Sequence, residues 1–189
     1  MNLKGKESAL QQNSTDTLKV WWIPVLARGK LHLDVLPHDF PGECPEAAEA
    51  FVDKVAAIVN VRFPNEAKPR VVMSDRGGAF YHGNGRVTPE YSAALRKHGF
   101  RAFAGDDASI QPGTLQELML HETAVSWTRH RLALTLPKKP WLETREEFAK
   151  RLHSVCRSIN AECRVGRLCS AFPKRIDMLI AREGDRIKT

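Results

Sequence analysis

Two carboxylates stand out by what surrounds them. Asp75 follows the apolar run Val71-Val72-Met73 and precedes the pair Gly77-Gly78 by two residues. A short β-branched run bounded by Pro69 and glycines predicts a buried strand. A strand that ends on Asp places the acid at the C-terminal rim of a sheet, where ligand sites of α/β proteins form. The commonest job of such an Asp is to cap a turn. The second acid, Glu122, lies on the helical stripe of Leu118, Met119 and Val125. A lone buried carboxylate is costly, so Glu122 is expected to have a partner there. Glu117 has a structural task instead, because Thr114 and Glu117 fit a capping box. Two acids delivered by a strand end and by a later helix suit a pair of divalent metals. Such a pair activates water and stabilises the leaving oxygen in phosphodiester cleavage. Hard oxygen ligands make Mg²⁺ or Mn²⁺ the expected ion.

Other chemistries fit these residues less well. His121-Glu122 opens the metalloprotease pattern H-E-x-x-H, but residue 125 is Val. An aspartyl-phosphate enzyme built on VVMSDRGG needs a second acid two residues after Asp75, and residue 77 is Gly. The glycines of RGGAFYHGNG lack the Lys-Ser/Thr ending of a phosphate-binding P-loop, so a loop is expected there. His121, Trp127 and His130 share a helix and read first as packing or surface residues.

The elements that must position the two acids are legible in outline. Leu18 to Ala27 is rich in β-formers, with Pro24 pointing to an edge strand. Arg28-Gly29-Lys30 then turns the chain into a second strand, Leu31 to Leu36. On that strand Leu31, Leu33 and Val35 share one face and His32 and Asp34 the other. A helix is expected from about Glu46 to Arg62, with Ala47, Phe51, Val55 and Val59 at helical spacing. After the strand ending at Asp75, Thr88-Pro89 starts a short helix to Lys97, closed by His98-Gly99. Phe100 to Ala104 reads as a strand, and Thr114 to about Ala133 as a helix. A second capping box, Thr144 with Glu147, begins a helix to about Ile159, and another helix runs from Pro173 to about Arg182. The order predicts a mixed α/β domain.

Composition agrees with that class. The 189 residues suit one domain with a proper core, and 42% hydrophobic with 27% charged residues is a globular balance. No stretch approaches the roughly eighteen apolar residues of a membrane span, so no membrane partner is expected. The first 17 residues are polar and read as a flexible lead without a signal-peptide core. Cys44, Cys156, Cys163 and Cys169 show no zinc-ligand spacing and read as reduced thiols of an intracellular protein. The net charge of +7 is uneven: residues 134–189 hold 13 Lys/Arg against 7 Asp/Glu. That surplus points weakly to a polyanion, and a solvated helix face accounts for it equally well.

Together KVWWIPVLARGKLHLDVLP, MSDRGGAF and GDDASIQPGTLQELMLHETAVSWTRHRL resemble a DDE-superfamily endonuclease, the transposase domain of Tc1/mariner type. In that family a strand-end Asp is the second catalytic carboxylate, and Asp75 matches it. The third is a Glu or Asp at the start of a helix that continues with Trp and basic residues. Glu122, followed by Ser126-Trp127 and Arg129-His130-Arg131, matches that. QPGTLQELMLHE stands where the family has SPDLNPIE, which leaves Asp106, Asp107 and Glu117 as alternatives for the third position. The resemblance implies an RNase H-like fold, a mixed sheet flanked by helices, spanning residues 18–133, with a basic helical extension at 134–189. It also implies DNA as partner, Mg²⁺ or Mn²⁺ as cofactor, no small organic cofactor, a homo-oligomer as one mode of assembly, and nuclear location in a eukaryote. Arg129, Arg131, Lys138 and Lys139 become candidate contacts to DNA phosphates. The family's first catalytic Asp sits on the first strand of a three-strand meander, and here only a hairpin precedes the first long helix. The first strand and its acid are therefore expected to be missing. Asp34 substitutes only if its face turns toward Asp75. The implied activity is metal-dependent DNA cleavage and strand transfer, lost if the first acid is absent. The alternative is a non-catalytic nucleic-acid-binding remnant of a transposase.

Overall fold

Alternation of apolar and polar residues folds the start of the described chain into a ribbon. In a computed structural model, which describes residues 20–42, 44–64, 70–75, 77–103 and 118–183, β1 (Trp22–Ala27) pairs antiparallel with β2 (Lys30–Val35). Arg28 (φ 47°) and Gly29 (φ 70°) make the two-residue connection, both left-handed. That turn type matches the twist of the flanking strands. The ribbon has two covered faces. Leu31 and Leu33 point into a cluster with Ala124, Leu152, Val155 and Ile159. Ile23 points the other way, into a core with Val52, Val55, Phe80 and Tyr91. His32 stands edge-on to the Phe63 ring, and Lys54 holds Asp34 at 2.8 Å, both on this second face as the alternation predicts.

The first helix, α1 (Ala47–Arg62), buries Ala48, Val52, Val55 and Ala56 against the ribbon and the elements that follow. Asn60 near its end accepts a 2.7 Å hydrogen bond from Arg70, which fixes the start of β3 (Arg70–Val72). β3 pairs in parallel with β4 (Phe100–Ala102), and α2 (Pro89–Lys97) forms the crossover that parallel pairing demands. Thr88 caps α2, accepting from Tyr91 N–H at 3.3 Å while its hydroxyl donates to Ala79 O at 3.2 Å. Pro89 occupies the first helical position, where the missing N–H costs nothing.

Beyond residue 118 the chain is helical. α3 (Leu120–Leu134) and α4 (Arg145–Ala161) pack on the ribbon's other face, and α5 (Arg164–Ser170) and α6 (Phe172–Ala181) follow. The Thr144–Glu147 capping box is present: Glu147 N–H donates to the Thr144 hydroxyl, and Thr144 N–H to the Glu147 carboxylate. Arg151 grips Glu143 through two contacts of 2.6 Å and also reaches Leu132 O at 3.0 Å, pinning the α3–α4 connection. The hairpin turn rests on α5: a β-carbon on Gly29 would lie 3.2 Å from the Gly166 Cα.

The molecule is mixed α/β, as expected. The expectation of one mixed sheet is corrected in part. Among the described residues the strands form two separate two-stranded sheets, β1–β2 and β3–β4. β3 is also shorter than predicted, ending at Val72 rather than running to the acid. All four cysteines are free thiols, and no described helix is long and apolar enough to cross a membrane. Thr114, Glu117, Asp106 and Asp107 lie outside the described residues.

Candidate functional site

A cleft of about 1500 Å³ opens between the two sheets, and the paired acids of the sequence both border it. Asp75 lies three residues past β3, exposed on the loop that Gly77 turns by accepting from the N–H groups of Phe80 (2.9 Å) and Tyr81 (3.0 Å). A β-carbon on Gly77 would meet the Asp75 carboxylate at 3.4 Å, an ordinary contact, so the acid lies close over the turn. Beneath it, the Tyr91 hydroxyl and Ser74 Oγ are 3.1 Å apart, both residues buried. Burial pushes the Tyr91 hydroxyl far above the ordinary phenol range, and the nearby Asp75 charge adds to this. Tyr91 therefore stays protonated, and its bond to Ser74 anchors the segment that presents Asp75.

Glu122 sits in the first turn of α3, where the helix dipole favours a negative charge. The expectation that it is buried beside a partner is corrected. Met119 is 8% exposed and turns inward, whereas Glu122 is open to solvent on the cleft wall. Solvation removes the cost that demanded a partner. Ser126 and Arg129 continue the same wall one and two turns on, and His121 lies beside Glu122. Arg28 and Arg70 border the cleft as well; reading the sequence did not single them out, because nothing local distinguishes them from other arginines.

The remaining candidates fall elsewhere. Asp34 does not turn toward Asp75: its carboxylate faces Lys54 of α1 at 2.8 Å and His153 of α4 at 3.5 Å. Arg131 is half-buried and bonds Ser158 (3.1 Å) and Glu162, tying α3 to α4. Lys138 and Lys139 are exposed in the α3–α4 connection. Among the described residues no group of three His, Cys, Asp or Glu is arranged to hold a metal ion. The carboxylates of Asp75 and Glu122 are hard donors of the kind Mg²⁺ or Mn²⁺ prefers, and two such groups would supply only part of a ligand set.

Comparison of the chain with family models, with curated proteins and with solved structures gives no match.

Proposed function

We propose that this chain is the core of a DDE-type, transposase-like DNA endonuclease with an RNase H-like plan, Asp75 and Glu122 being two of its metal ligands. The observation that carries the reading is that these two acids, far apart in sequence, border one cleft. Mg²⁺ or Mn²⁺ bound there would activate water and neutralise charge on the scissile phosphate. The chain's own contribution is to hold the two carboxylates in the same opening, with Asp75 fixed through Ser74 and Tyr91. Arg129 is exposed on the same wall, and in this reading it would meet a phosphate of bound DNA.

A second reading, a nucleic-acid-binding remnant that no longer cuts, is favoured by one observation. Asp34, the remaining candidate for the first acid, is engaged by Lys54 and His153 instead of facing the cleft. The two readings separate in one assay on supercoiled plasmid. Nicking that requires Mg²⁺ or Mn²⁺ and is abolished by Asp75→Asn supports the nuclease. Salt-sensitive retention of DNA without nicking supports the remnant. Neither activity removes both.

A further inference from the structure

The cleft has the shape of a vacancy in a sheet. Residues of both parities along β1, Trp22 and then Pro24 through Ala27, border it, as do consecutive residues of β3 and its extension. Side chains of a strand alternate between faces, so consecutive residues lining one opening mean that the strand's edge borders it. The direction of the backbone groups agrees. Leu36 N–H donates to Trp21 O at 2.8 Å, and with the β1–β2 register this turns the backbone groups of Ile23 and Val25 toward β2. Those of Trp22, Pro24 and Leu26 are therefore directed to the opposite edge, into the cleft. On the other side, Arg70 N–H donates to Gly99 O and Phe103 N–H to Val72 O, so the backbone groups of Val71 are directed away from β4. Val71 is 48% exposed. One helix closes each remaining wall: Phe51, Val55 and Val59 of α1, four residues apart, and Val125 and Ser126 of α3.

We infer that the cleft receives an extended peptide strand from another polypeptide, about six residues long, which pairs with β1 and β3 at once and joins the two sheets into one. Continuity with two existing ladders fixes this occupant: facing strand edges need main-chain donors and acceptors, which a strand supplies in alternation on both sides. The α1 wall of Phe51, Val55 and Val59 calls for apolar side chains on the face of the strand turned to it, while the α3 wall sets Val125 among Glu122, Ser126 and Arg129. The segment MNLKGKESALQQNSTDT, residues 1–17, does not offer such a face, since nowhere in it do three alternating positions carry apolar side chains. Pro24 lacks an N–H, so β1 offers one donor fewer at its centre while its carbonyl still accepts. The inference is independent of nuclease activity, because a strand can seat in a cleft that cuts nothing.

The test uses the full chain and a fluorescein-labelled octapeptide of alternating Val and Ile between terminal lysines. Binding is read by anisotropy, and amide hydrogen exchange is followed at Leu26 and Val71. Saturable binding that slows exchange at both amides is the expected result. The same peptide N-methylated at alternate residues should bind about tenfold or more weakly, since two or more hydrogen bonds of about 1 kcal/mol each are lost. Val71→Pro should weaken binding to a similar degree; the N-methylated peptide makes the same test without altering the protein. Three results overturn the inference: no binding, binding that leaves both amides unprotected, or protection that exists without peptide and disappears when residues 1–19 are deleted.

Discussion

The hydroxyl of Tyr91 meets Ser74 Oγ at 3.1 Å inside the core, one residue before the exposed Asp75. Tyr91→Phe keeps the ring contacts with Phe80 and Tyr81 and removes only this bond. The expected loss is about 1 kcal/mol, read as a lower denaturant midpoint at unchanged slope. Ser74→Ala leaves the buried Tyr91 hydroxyl without this partner and should cost at least as much, and the double variant should cost less than the sum of the two.

Thr88→Ala should be more damaging. The buried hydroxyl both caps α2 and donates to Ala79 O, so the substitution leaves a helix N–H and a carbonyl without partners. A loss of about 1–2 kcal/mol is expected. Thr88→Ser, which keeps both bonds, should recover most of it in thermal melts.

The ribbon and the C-terminal helices meet at Leu31 and Leu152, both 0% exposed. Leu152→Ala should cost about 2–5 kcal/mol through lost burial and the cavity left behind. Leu31→Ala should cost a similar amount, and chemical denaturation of the two variants measures both.

Acid should loosen the α1–α2 contact. His98 Nε2 lies 2.6 Å from Asp53, and this bond, with Lys97 adding to it, holds the Asp53 carboxyl below its usual range. A depressed carboxylate contributes stability above its unfolded pKa of about 3.9, and that contribution is lost as pH falls through the folded value. Asp53 is 45% exposed, so the contribution is about 0.5 kcal/mol. Asp53→Asn should therefore be less stable than the parent near pH 6, and the difference should vanish toward pH 2.

On the proposed nuclease reading, millimolar Mg²⁺ or Mn²⁺ should raise the melting temperature, because the ion binds only the folded site. Asp75→Asn and Glu122→Gln should each abolish that rise, and should also cut metal-dependent nicking at least tenfold. A shift in melting that both variants retain would place the ion elsewhere.

Much of the local structure was written in residues close together in the chain. The Arg28-Gly29 turn, the Thr88-Pro89 start of α2 and the Thr144–Glu147 box all depend on bonds within a few positions, and each formed as read. Long-range pairing was less legible. β3 and β4 were visible as apolar runs, but whether they continue the hairpin depends on a neighbour that no local pattern specifies. The site shows the same limit. Alternation along β2 placed Asp34 on the face opposite Leu33, yet what that face meets, Lys54 and His153, is set by packing of distant helices. Glu122 was misjudged because a stripe three or four residues wide does not reveal where the buried arc ends; here it ends between Met119 and Glu122.

The contact between Gly29 and Gly166 fixes how short a version of this protein can be and still hold its shape. With backbone laid directly on backbone, Gly29 puts no side chain between the tip of the ribbon and its support, the helix that holds Gly166. A fragment cut after residue 133 would strip Leu152, Val155, Ile159 and Val165 from around Leu31 and Leu33. The smallest self-sufficient unit therefore runs at least through Ser170, and expression trials or protease digests should settle on boundaries beyond it.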